Sequence, residues 1–130
     1  MLTTAGVEAL LKVKEQKLAD PDSLVMHTYL DHFGATCIGG QLILNKYGMQ
    51  RLKEAEQIDF ECHKLAGSIV GIPFEGDPDN QRITDSLFHR LYWDKDLYNR
   101  WQNSTTANER AQIVAEVINR FIAKNYQEEG

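Results

Sequence analysis

The chain has 130 residues, of which 42% are hydrophobic and 25% charged, and a formal net charge of −5. At this length about two thirds of the unfolded surface is buried on folding, enough for a single domain, and no repeat, low-complexity tract or long polar linker divides the sequence. Its 14 basic residues are outnumbered by 19 acidic ones, with a balance of −2 over residues 1–65 and −3 over residues 66–130. Duplex binding draws its affinity from clustered Lys and Arg, so nucleic acid is not the expected partner.

No apolar run approaches the roughly 20 residues of a membrane span, and Met1–Ala5 lacks the basic and apolar segments of a signal peptide. The expectation is a cytoplasmic protein that makes no membrane contact. In that compartment Cys37 and Cys62 read as reduced, buried thiols rather than a bridge.

From Ala5 to Leu18, Val7, Leu10, Leu11 and Leu18 trace a helical stripe opposite Glu8, Lys12, Glu15 and Gln16. Asp20-Pro21-Asp22-Ser23 breaks it, and residues 24–30 read as irregular or extended. Thr36 is placed to cap a second helix that ends at Tyr47-Gly48. Two adjacent glycines, Gly39 and Gly40, lie inside this helix. Each costs about 0.8 to 1 kcal/mol relative to alanine, which predicts a smooth face against which another segment packs closely.

In Gln50–Val70, Leu52, Ala55, Ile58, Phe60, Leu65, Ala66 and Ile69 allow one long helix, or a short one followed by another starting near Asp59, and Gly71-Ile72-Pro73 stops it. Phe74–Asn80 is the clearest loop. Ile83, Leu87, Leu91 and Phe88 are expected to face inward from the helix that follows, and Trp93–Trp101 to contain a short helix. The last helix is the best signalled. Thr106-Ala107-Asn108-Glu109 has the spacing of a capping box, and Val114, Val117, Ile118, Phe121 and Ile122 form the apolar stripe behind it. Without strand alternation or an Asn-Gly hairpin, the fold class is mainly α, a single compact domain of about five helices.

The order of short motifs resembles a widespread group of small phage and bacterial proteins of unknown function. The resemblance is carried by Leu24-Val25-Met26-His27-Thr28-Tyr29, Cys37-Ile38-Gly39-Gly40, Leu65–Ile72, Leu87-Phe88 with Trp93, and the Ala111–Ile122 helix. It spans most of the chain and implies a shared fold rather than an activity. Many members of that group carry a second cysteine shortly before the Cys37 position. Here the stretch reads His32-Phe33-Gly34-Ala35-Thr36, which argues against a thiol pair or metal clip at that place.

Catalytic motifs are missing: there is no phosphate-binding Walker loop, no Gly-x-Ser-x-Gly elbow and no His-Glu-x-x-His. His27, His32, Cys37, Cys62 and His63 are the soft-ligand candidates, but their spacing fits no familiar zinc pattern, and adjacent Cys62 and His63 point about 100° apart on a helix. Asp77, Asp79 and Gln81 begin like a calcium loop, yet Pro78 interrupts it and Arg82 and Phe88 stand where Gly and Glu are required. Neither a metal nor a cofactor is therefore expected.

Cys37 could act as a nucleophile at a helix start, but a buried thiol beside the glycines is the stronger reading. Tyr92, Trp93, Tyr98 and Trp101 are enough to line a pocket, meet a partner or seal a core edge. The binding candidates are accordingly Met26, Tyr29, Cys37, Gly39, Gly40, Trp93 and Trp101. The expected role is a non-catalytic interaction or regulatory module that binds another protein or itself. The alternative is a small enzyme or ligand-binding protein with a pocket near Cys37.

Overall fold

Thr3 accepts the Gly6 N–H at 3.0 Å and so starts the first helix, α1 (Thr4–Ala19). The computed structural model describes residues 1–127, and within them the chain continues through α2 (Ile38–Tyr47), α3 (Met49–Glu56), α4 (Glu61–Val70), α5 (Pro78–Phe88), α6 (Lys95–Gln102) and α7 (Ala107–Asn125). Short 3-10 turns occupy Pro21–Ser23 and Arg90–Tyr92. Seven α-helices replace the five expected. The stretch Gln50–Val70 takes the divided form, broken at residues 57–60, and the short helix expected within Trp93–Trp101 is Lys95–Gln102, capped by Asp94.

The core is a stack in which α1 packs along α7 and α4, and α2 packs on α4 and α3. Its fully buried side chains include Leu10, Ile38, Leu42, Leu52, Leu87, Val114 and Ile118. Gly48 and Gly71 end α2 and α4 with φ of 89° and 88°, values that cost an L-residue with a Cβ about 1 kcal/mol or more. The sequence placed both ends correctly. The folded surface of 7480 Å² is close to the roughly 7,000 Å² expected of one domain of this mass.

The buried face of α1 differs from the expected stripe. Gly6, Leu10, Val13 and Lys17 face inward, while Leu11 and Leu18 are exposed. The cause is backbone proximity: a Cβ on Gly6 would lie 2.3 Å from the Val70 carbonyl oxygen, so this glycine sets which side of α1 meets α4. Leu91 was also expected inside and is 73% exposed, because α5 stops at Phe88 and the following turn redirects the chain.

Residues 24–36 form a closed loop rather than a strand. Leu24 and Leu30 each make an isolated bridge to Thr36, and the Asp31 carboxylate accepts the Phe33 and Ala35 N–H groups. Thr36 does not cap α2. Cys37 does, its Sγ accepting the Gly40 N–H at 3.4 Å. The Thr36 hydroxyl is buried instead, held between Lys17 and Gln41.

Candidate functional site

The glycine pair positions the site. A Cβ on Gly40 would lie 2.0 Å from the Tyr29 carbonyl oxygen, and one on Gly39 would lie 2.6 Å from Tyr29 Cε1. The loop therefore lies directly on α2, with the tyrosine ring across the glycine face. Its hydroxyl reaches Nδ1 of His63 at 3.3 Å. Met26 and Cys37 are buried in the hydrophobic core.

His63 sits on α4 with its ring fixed on several sides. Phe74 and Phe88 meet it edge-on at centroid distances of 4.7 and 5.4 Å, and His89 stacks on it at 5.4 Å with 17° between the planes. Its Nε2 lies 2.8 Å from the Thr84 hydroxyl and 3.3 Å from Oδ1 of Asp85. The Asp85 carboxylate also approaches His89 Nε2 at 3.8 Å. Burial lowers the His63 pKa to about 4 against the opposing pull of Asp85, so desolvation outweighs the neighbouring carboxylate and the 3.3 Å approach of Asp85 is not a charged pair at neutral pH.

The side chains become progressively more exposed outward, with relative exposures of 6% for His63, 15% for Asp85 and 46% for His89. Beside them opens a cleft of about 240 Å³ lined by Tyr29, Ala55, Phe60, Cys62, His63 and His89, with Glu56, Ile58 and Asp59 at its wall. Phe60 precedes α4 in the left-handed region, φ 65°, and 68% of its surface is exposed. It is the non-glycine residue with positive φ among the described residues.

The thiols are poorly suited to nucleophilic work. Both are free and buried. Burial raises Cys37 to about 11 despite the Gly40 and Gly39 N–H groups and nearby Lys17, and raises Cys62 to about 12. The helix-start effect weighed for Cys37 is thus outweighed by desolvation. Tyr29 is likewise raised above the ordinary phenol range by burial and keeps its proton.

Of the sequence-derived candidates, Tyr29, Cys37, Gly39 and Gly40 come together, Met26 is buried in the core, and Trp93 and Trp101 meet each other edge-to-face at 5.6 Å there. Trp93 also lines a separate shallow cavity with Tyr92, Asp94, Arg120 and Phe121. The histidine that joins the Tyr29 group had been weighed only with His27, His32 and the cysteines, whereas its actual companions are Asp85 and His89. The one sequence signal for them is the i, i+4 spacing of Asp85 and His89, which puts both on one side of a helix end. In comparisons with known proteins, the chain matches no family model, no curated protein and no solved structure.

Proposed function

We propose that this protein is a small, non-catalytic binding module whose working face is the His63 cleft and its rim, and that its partner is a protein segment with apolar and basic side chains. Phe60 carries the reading. A left-handed phenylalanine costs about 1–2 kcal/mol, and its exposed ring recovers little by burial within the chain, so the fold has no evident use for it. Strained, exposed residues of this kind cluster at functional sites. Ile58, Leu91 and Tyr92 are also exposed, and Glu56 and Asp59 beside Phe60 supply complementary charge for a basic partner. The resemblance to small phage and bacterial proteins and a cytoplasmic location are consistent with such a role.

The test is affinity capture from the native host with the parent chain and with Phe60→Gly as baits, together with sedimentation of each alone. The reading expects a protein retained by the parent and depleted by the substitution, or concentration-dependent self-association lost with it. Equal retention by both baits would overturn it. A second reading, a small-ligand or catalytic pocket, is favoured by the Tyr29 hydroxyl and His63 meeting at the cleft. A compound that raises the melting temperature of the parent and not of Tyr29→Phe would support that reading instead.

A further inference from the structure

We propose that His63, Asp85 and His89 form a binding site for a divalent first-row transition ion of the zinc class, at the joint between α4 and α5. Two imidazoles and a carboxylate are the donor set of open three-ligand zinc sites and of two-histidine, one-carboxylate iron sites, whereas calcium and magnesium favour all-oxygen shells. The site does not depend on the partner reading above, since no residue of the apolar rim is a ligand.

The geometry is close to what an ion requires. Ligand atoms 2.0–2.1 Å from a tetrahedral centre are about 3.3 Å apart. The His63–Asp85 pair stands at 3.3 Å and the Asp85–His89 pair at 3.8 Å, and the three ligand atoms all lie within 4.8 Å of one another. Closing the remaining gap falls to His89, the most exposed of the three and the first residue beyond α5. Its exposed side leaves an approach for the ion and a position for water.

The protons can be placed as well. For Nε2 of His63 to bind an ion, its hydrogen must sit on Nδ1, where the Tyr29 oxygen at 3.3 Å accepts it. Metal-bound histidines are held in this way by their second nitrogen. The Thr84 hydroxyl lies 2.8 Å from Nε2, so it must turn aside or itself join the ligands when an ion binds, while still donating to the Asn80 or Gln81 carbonyl, now at 3.2 and 3.1 Å. A purely structural role for Asp85, satisfying a buried histidine, explains the His63 contact but not why the exposed His89 ring is turned in over His63.

Equilibrium dialysis of the tag-free chain against Zn²⁺, with Co²⁺ absorption as a report on coordination, tests the site. One ion per chain is expected, bound at least about tenfold more weakly by His89→Ala and by Asp85→Asn. His89→Ala should melt like the parent without metal, because that side chain is half exposed, so loss of binding cannot be attributed to unfolding. The double variant His27→Gln/His32→Gln should bind like the parent. The proposal is overturned if the parent takes up no stoichiometric ion, if His89→Ala binds as tightly as the parent, or if binding is lost with His27 and His32.

Discussion

Lys17 is fully buried, with 0% exposure, and no carboxylate within salt-bridge distance among the described residues. Its ammonium donates to the Ser23 carbonyl at 2.6 Å, the Ser23 hydroxyl at 3.2 Å and the Thr36 hydroxyl at 2.8 Å, so all three donors are used. Helical spacing by itself cannot distinguish a lysine with waiting acceptors from one in water. Burial lowers its pKa from 10.5 to about 8. Below pH 8 both folded and unfolded chains hold the proton and stability does not vary through this group. Between about 8 and 10.5 the unfolded chain binds more protons, so stability rises with pH, by on the order of 3 kcal/mol at most. Denaturant melts of the parent and Lys17→Met across this window should show the rise in the parent and its loss in the variant. Gly40→Ala makes a second test at this scale. The helix gains about 1 kcal/mol in propensity, but the new methyl group meets a backbone carbonyl. A net loss of about 1–3 kcal/mol is expected, and a urea midpoint at or above the parent's would contradict the close contact.

The helices differ in how plainly their own residues announce them. In α7 the Thr106 hydroxyl accepts the Glu109 N–H at 3.1 Å, and Val114, Val117, Ile118 and Phe121 are buried as their spacing predicts. Phe121→Ala should therefore cost about 3–5 kcal/mol. Glu116, on the opposite face of α7, bridges Arg100 and Arg120, with Asp94 and Asp96 completing a surface network. Those arginines hold the Glu116 carboxyl below its ordinary range. Glu116→Ala should show a far smaller loss than Phe121→Ala, and one that fades in high salt; equal losses would mean that α7 docks by another face. At the junction of α3 and α4, Phe60→Gly removes left-handed strain while adding freedom to the unfolded chain. The variant should be as stable as the parent or up to about 1 kcal/mol more so, and a clear destabilisation would show that the ring packs usefully within the fold.

On the scale of the whole molecule, Cys37 lies buried in the core at 3% exposure, so its thiol should be labelled only when the protein opens globally. Two thiols per unfolded chain are expected with a thiol-specific reagent, and Cys37 labelling in the native protein should follow the denaturant dependence of unfolding. Fast labelling under native conditions would contradict its place in the core. Among the described residues no helix is long and apolar enough to cross a membrane, as the composition led one to expect. The sequence by itself determined the helical class, the glycine ends of α2 and α4, the capping box and stripe of α7, and the need for close packing at Gly39 and Gly40, because each of these is local or has a fixed period. Only the tertiary structure decided which face of α1 is buried, that Lys17 has acceptors waiting for it, and that Tyr29, His63, Asp85 and His89 meet. Those residues come from a loop, two helices and the turn after α5, and their distances depend on helix approach and on where α5 ends. No spacing along the chain encodes that arrangement.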